Sequence, residues 1–309
     1  MTRKGLPQKQ FVKVGSQTLT LSNMDKLFWP ERGLTKAHLL GYYNAVADYI
    51  LPFLHDRALT VVRYPNGIPG KFFYQKNVPP HAPAWVQTFQ VPSEDAENGF
   101  ISYCLANDRA TLLWLVNQAA LELHPSHYRV DRLDRPDWAI VDLDLAPPAN
   151  YRDAVEIAFA VKSLLDHAGL QSFPKTSGAT GLHIYIPLAR RYAFQEVTEW
   201  VAGLGRQIVE AMPHKATNRR KVAERTGHVY IDHLQNLPSH TIVAPYSIRP
   251  LPGAPVSTPV TWDELRAADP AGFNILTVPA RLQRVGDLFA PVLTEKQALK
   301  PLPVLTSSH

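Results

Sequence analysis

The chain has 309 residues, enough to bury a sizeable core as one large domain or two small ones. With 45% hydrophobic and 19% charged residues it has the composition of a globular protein, and no apolar run of about 18 residues offers a membrane helix. A single cysteine, Cys104, excludes an internal disulfide or a multi-cysteine zinc site, and a net charge of +5 suits a polyanionic partner without requiring one.

The first residues, Met1-Thr-Arg-Lys-Gly, lack the apolar stretch of a secretory signal, so a cytoplasmic location is expected. Arg3, Lys4, Lys9 and Lys13 follow with no acid among them and read as a solvated tail. Thr35 is placed to cap a helix that ends near Pro52. Residues 59–64 and 72–75 read as strands, and so does 139–145. Asn150 can cap a helix over 151–168, with Asp153 in its first turn and Gly169 just past its end. A strand at 182–188 precedes a helix at 194–212 that Pro213 stops. Two further strands are expected at 228–232 and 241–248. From Leu251 repeated prolines predict a wrapping tail with one short helix at 262–268. Strand and helix alternate after residue 138, so the expected fold class is mixed α/β. No linker is evident. The expected organisation is one unit of 309 residues, with an N-terminal module (about 1–125), a catalytic core (about 126–250) and the tail (about 251–309).

The segment Trp138-Ala-Ile-Val-Asp142-Leu-Asp144-Leu145 alternates strictly. Side chains at i and i+2 share a strand face, so Asp142 and Asp144 point the same way, beside Ile140. Two carboxylates roughly 7 Å apart repel each other, and a hard divalent cation between them removes the repulsion. Metals held by aspartates serve phosphoryl and nucleotidyl transfer. The plainer alternative is the solvated face of an edge strand.

Three more segments carry chemistry. In Lys175-Thr-Ser177-Gly178-Ala-Thr-Gly181-Leu-His183 a small-residue turn feeds a strand. Its glycines let backbone amides approach an anion, Ser177 adds a donor, and His183 shares a face with Tyr185. A tight turn before an ordinary strand histidine is the alternative. In Val229-Tyr-Ile-Asp232 an apolar strand ends in an aspartate, a candidate third metal ligand from a neighbouring strand, with Gln235 and Asn236 as following polar groups. Arg249, closing the fourth segment, has the bidentate fork that suits phosphate. Residues 215–225 carry Lys215, Arg219, Arg220, Lys221 and Arg225 against Glu224 alone.

Two acids, then Ser-Gly and His, then one acid and an Arg describe a two-metal nucleoside-triphosphate site. In this order they resemble the archaeo-eukaryotic primase superfamily, and within it the polymerase domain of bacterial DNA ligase D, from about Asn23 to Arg249. The resemblance implies a primase-polymerase core of RNA-recognition-motif topology fused to an N-terminal α/β module. It implies that Asp142, Asp144 and Asp232 are catalytic and hold two divalent ions, Mn2+ or Mg2+. Ser177, His183 and Arg249 would hold the triphosphate of an incoming ribo- or deoxyribonucleotide. His124 would lie near its sugar, and Gln235 and Arg225 in the site's neighbourhood. Phe72 and Phe73 would stack near template bases. The basic segment with Arg220 and Lys221 would be the loop that engages DNA ends. Asn23, Lys26 and Lys36 match a pocket for a downstream 5′-phosphate. One departure is Thr180, where some relatives carry a lysine; Lys175 is the nearby candidate to compensate.

The expected activity is template-directed nucleotide addition at gaps and ends during non-homologous end joining, with a preference for ribonucleotides. Expected partners are DNA ends or gaps with a 5′-phosphate, Ku protein and a DNA ligase, with no membrane. The expected state is a monomer or a DNA-bridged dimer, cytoplasmic and nucleoid-associated. A primer-independent primase and a non-catalytic DNA-end binding module are the rivals. The 5′-phosphate pocket argues against the first and the three aspartates against the second.

Overall fold

The structure, a computed structural model, describes residues 9–94 and 96–303. Arg3 and Lys4 of the N-terminal basic run lie outside them; Lys9 and Lys13 are exposed. The chain opens with a hairpin of β1 (Gln10–Val14) and β2 (Gln17–Leu21), whose alternation turns Leu19 and Leu21 inward. A smaller hairpin, β3 (Leu27–Trp29) and β4 (Leu34–Thr35), delivers the chain into α1 (Lys36–Leu54). Thr35 caps α1 as expected, its N–H donating to His38 Nδ1 at 3.1 Å. The helix ends near Pro52 as expected, at Leu54, with Pro52 in its last turn, where the missing N–H forfeits a single bond.

The first large sheet contains β5 (Leu59–Arg63), β6 (Phe73–Gln75), β7 (Thr88–Pro92), β8 (Phe100–Cys104) and β9 (Ala120–Pro125). Their order is β6–β5–β8–β7, with β9 also paired to β5. Before β9 comes α2 (Arg109–Asn117), capped by Asp108, whose Oδ1 accepts the Thr111 N–H at 2.8 Å.

The second sheet and the helices packed on it follow in the order β10 (Trp138–Leu145), α3 (Tyr151–His167), β11 (Phe173–Thr176), β12 (Leu182–Pro187), α4 (Phe194–Ala211), β13 (Ala216–Thr217) and β14 (Val229–Asp232). Strand order is β11–β12–β10–β14–β13, antiparallel except for the β13–β14 pair. Ala139, Val141 and Leu143 join Leu182, Ile184 and Ile186 beneath α3 and α4. Each fully buried Val, Leu or Ile among them stabilises the fold by about 1.5–3 kcal/mol. On the other face, Trp138, Ile140 and Tyr185 enter a separate core shared with α1 and the first sheet. Asp142 and Asp144 continue that same face. β10 therefore passes from the packed core at Ile140 through the buried Asp142 to the exposed Asp144, where the packing stops.

The tail holds α5 (Trp262–Leu265), shorter than expected, and two helices the sequence did not suggest, α6 (Val278–Val285) and α7 (Ala290–Thr294). It contributes Val256, Val278 and Phe289 to one core and Val260 and Leu265 to the other. The strand expected at 241–248 does not form. Pro245 cannot donate to a ladder and Tyr246 adopts φ of +66°, so the segment turns and makes only isolated bridges at Thr241 and Ile248. It docks on β9 instead: Ala244 N–H donates to Leu123 O at 2.9 Å and Leu123 N–H to Ser247 Oγ at 3.0 Å. Among the described residues no helix is long and apolar enough to cross a membrane.

Candidate active site

Strand register assembles the acidic centre. Asp142 on β10 is paired across the ladder with Asp232 on β14 on one side and with His183 on β12 on the other. Asp144, two residues on, shares the face. Ligand oxygens of Asp142, Asp144 and Asp232 lie within 4.8 Å of one another. Asp232 Oδ1 is fixed by the Tyr230 hydroxyl at 3.1 Å and the Leu234 N–H at 2.9 Å. Asp142 Oδ1 is buried and receives no hydrogen bond; His183 Nε2 stands 3.4 Å away. Burial, then the charges of Asp144 and Asp232, push the Asp142 carboxyl well above the usual range, and burial and Asp232 raise Asp144. A half-buried trio of repelling carboxylates with an unpartnered oxygen fits a hard divalent cation, which supplies the missing charge and ligation.

The turn after β11 packs beside the acidic centre, against Leu143 of β10. Ser177 Oγ accepts the N–H groups of Ala179 and Gly181, each at 3.1 Å, so its hydroxyl hydrogen is the part the turn does not consume. Gly178 has φ of +73°, and a Cβ there would lie 2.7 Å from Arg249 Cγ and from Ser257 N. At Gly181 a Cβ would collide with the Leu143 carbonyl. Glycine at both positions is thus demanded by close packing of the turn on β10 and on the tail. Thr180 is exposed at the tip. Lys175 is not in the turn: it is fully buried behind His183, with Nζ 2.8 Å from His183 Nδ1.

Arg249 reaches the turn, donating through Nη1 to Ser177 O at 3.2 Å. Its Nε lies 2.6 Å from Glu122 Oε1, an ion pair without hydrogen-bond alignment. Glu122 Oε2 is 3.4 Å from His124 Nε2. Burial raises the Glu122 carboxyl, but His124 and Arg249 outweigh it and hold it below the usual range. Glu122 was not singled out from sequence. The signal existed: Glu122 and His124 alternate on β9 and so share a face. What sequence did not reveal was that the 241–248 segment docks on β9 and carries Arg249 to that face.

Gln235 and Asn236 are engaged in structure. Gln235 Nε2 donates to Thr241 O at 2.8 Å. Asn236 is buried and pairs with both backbone groups of Ile140, each at 2.8 Å, standing in for a strand beside β10. Arg225 lies flat on the Tyr230 ring, 3.4 Å from its centroid, and donates to the carbonyls of Arg219 and Arg220. It ties the basic loop down beside Asp144, whereas Arg220 and Lys221 are exposed. Phe72 and Phe73, half-exposed, are held differently: Phe72 stacks on Tyr64 (5.3 Å between centroids), and Phe73 lies beneath the Arg63 guanidinium.

Asn23, Lys26 and Lys36 come together at the start of α1. The Lys26 N–H closes a turn onto Asn23 O at 3.0 Å, and the Lys36 N–H donates to Lys26 O at 2.9 Å. Lys26 Nζ donates to Pro65 O (2.8 Å). Lys36 is buried, its Nζ donating to Ser22 O (2.8 Å) and Asn117 Oδ1 (2.7 Å). Burial, then the Lys26 charge, lowers the Lys36 ammonium to about 8. Asn117, from the end of α2, holds Lys36 in place, and no local pattern links two residues so far apart in the chain.

A mixed sheet carrying three carboxylates beside a Ser-Gly turn, a histidine and an arginine defines a nucleotidyltransferase of the primase-polymerase type. Residues 35–289 match the family described as LigD, primase-polymerase domain, and the chain belongs to that family. It is 35% identical over 270 residues to the bifunctional non-homologous end joining protein LigD of Bacillus subtilis, covering 87% of this chain and 43% of the relative. With the multifunctional LigD of Mycolicibacterium smegmatis it shares 33% over 278 residues, 89% of this chain and 36% of the relative. The chain thus spans less than half the length of these curated relatives. The solved polymerase domain of Mycobacterium tuberculosis ligase D, in complex with DNA, superposes with a TM-score of 0.84 at 32% identity, over 90% of this chain and 99% of that one.

Proposed function

We propose that the chain adds nucleotides under template direction at gaps and ends of broken DNA during non-homologous end joining. The observation that carries this is the assembly of Asp142, Asp144 and Asp232 within 4.8 Å, flanked by His183 and by Arg249 on the Ser-Gly turn. The three aspartates would hold the divalent ions, Mn2+ by preference, which supply charge neutralisation and acidify the attacking 3′-hydroxyl. Arg249, fixed by Glu122, offers its fork to the triphosphate. Ser177 donates its hydroxyl hydrogen and His183 a ring N–H to phosphate oxygens. His124, on the same carboxylate as Arg249, faces the sugar; the preference for ribonucleotides is proposed from the family resemblance. Phe72 and Phe73 stack near template bases, and Arg225 holds the basic loop in place for Arg220 and Lys221 to meet backbone phosphate. Gln235 supports the site from the turn after β14. Ku and a DNA ligase are the proposed partners, at the nucleoid.

The test compares a primed one-nucleotide gap with an unprimed single strand, using ribo- and deoxyribonucleotides. Addition confined to the primed gap, faster with ribonucleotides, supports the reading; chain initiation on the unprimed strand would replace it with a primase.

Asn23, Lys26 and Lys36 are proposed to receive a 5′-phosphate. The lowered pKa of Lys36 gives this a pH signature. Its folded value of about 8 lies below the ordinary 10.5, so between them the unfolded chain binds the extra proton. Stability therefore rises as pH climbs from about 8 toward 10.5, and the penalty of the buried ammonium is fully present below 8. A phosphate dianion favours the charged amine. The affinity ratio of 5′-phosphorylated over 5′-hydroxyl ends is expected to fall by about tenfold per pH unit above that value. Binding titrations from pH 7 to 9 check it, and a flat ratio would remove Lys36 from the phosphate.

Contact of Lys26, Lys36, Arg220 and Lys221 with backbone phosphate also predicts a logarithmic salt slope of about −3 or steeper. A binding constant unchanged between low and moderate salt would contradict those contacts.

A further inference from the structure

We propose that Lys175 is a positioning residue that sets the tautomer of His183. Strand register brings the three groups into line: Lys175 on β11 pairs with His183 on β12, which pairs with Asp142 on β10. Lys175 has no exposed surface, yet its amine has two partners, His183 Nδ1 at 2.8 Å and Ser257 Oγ at 2.5 Å. The second bond has a fixed direction. The Ser257 hydroxyl spends its one hydrogen on Thr176 O at 2.9 Å, so its oxygen accepts from Lys175.

Charged or neutral, the amine keeps the two N–H groups needed to donate to both partners. Donating to His183, it makes Nδ1 the acceptor and leaves the ring proton on Nε2. That nitrogen is the one 3.4 Å from Asp142 Oδ1, on the side of the three carboxylates. Without the lysine, Nδ1 would be a buried acceptor with no partner, and the ring would relieve this by moving its proton there. Nε2 would then turn a lone pair, instead of an N–H, toward a phosphate oxygen. The anchor comes from the tail: Ser257 belongs to the segment that packs against Gly178, so the tail reaches the site through Ser257 and Lys175. Burial, then Arg249, lower the Lys175 ammonium well below its ordinary range against the pull of Asp142. Donation to both partners needs only two N–H groups and so holds in either charge state.

The phosphate role of His183 rests on the reading proposed above; its tautomer does not. Two readouts separate them. The first is nitrogen-15 NMR of histidine-labelled full chain, with His183 assigned among the 12 histidines by its loss in His183→Gln. The wild-type ring is expected as the Nε2–H tautomer, and an Nδ1–H ring would overturn the proposal with no further variant needed. In Lys175→Met, which keeps length and volume but has no donor, the Nδ1–H form is expected to appear; an unchanged tautomer overturns the proposal. The second readout is steady-state kinetics on a primed gap. Lys175→Met is expected to raise KM for the nucleotide about 10- to 100-fold, the worth of one hydrogen bond to a charged group, with DNA affinity unaltered. A tautomer switch with unchanged KM would overturn the positioning role in nucleotide binding. A wild type that adds no nucleotide would overturn the polymerase reading and leave the tautomer result standing.

Discussion

Asp142→Asn is expected to slow nucleotide addition by ~10³-fold or more while DNA-end affinity stays within about twofold. The carboxylate lies at the meeting point of three strands, opposite Asp232 and His183, with one oxygen buried and unbonded. Asparagine keeps the shape and removes the charge that a divalent ion needs. DNA affinity is carried by basic groups elsewhere, so it is spared. The same substitution relieves like-charge repulsion across the ladder. Without divalent ions the variant is therefore expected to be more stable than wild type, by about 1 kcal/mol. Added Mn2+ should raise the melting temperature of wild type and leave that of the variant in place. Single-turnover primer extension and thermal denaturation check both parts, and wild-type turnover in Asp142→Asn would sink the metal-site reading.

Lys26→Ala is expected to abolish the advantage of a 5′-phosphate, lowering affinity for a phosphorylated gap by about 10- to 100-fold. Extension of a plain primer–template should be unchanged. Lys26 is the better residue to remove because Lys36 is itself structural: it is buried and ties Ser22 and Asn117 to α1. The Lys26 side chain makes one bond, to Pro65 O, and stands half-exposed beside the exposed Asn23. The experiment measures extension on matched gapped and simple substrates. Equal loss on both would mean that Lys26 supports the fold or general DNA contact, not a phosphate pocket.

Local chemistry was the legible part of this sequence. The alternation of β10 put Asp142 and Asp144 on one face, and the structure keeps Ala139, Val141 and Leu143 on the other. Caps at Thr35 and Asn150 marked the starts of α1 and α3 because each is satisfied within three residues. What stayed hidden depends on partners distant in the chain. Glu122 matters because Arg249 docks beside it, and Lys175 because Ser257 returns from the tail to receive its hydrogen. Asn236 read as a polar site group, yet it completes the edge of β10, a role visible only once Ile140 is seen to lack a strand partner there. The expected strand at 241–248 had the right apolar residues, but Pro245 and the left-handed Tyr246 turn it into the support that delivers Arg249.

The most direct test of the metal-dependent polymerase reading is addition of one nucleotide to a one-nucleotide gap with a downstream 5′-phosphate, in Mn2+, with all four nucleotides offered singly. Template-correct addition by wild type, lost on chelation and in Asp142→Asn, is the predicted result. Tight binding to the phosphorylated end with no addition under any divalent ion would contradict it and leave a DNA-end binding module in its place.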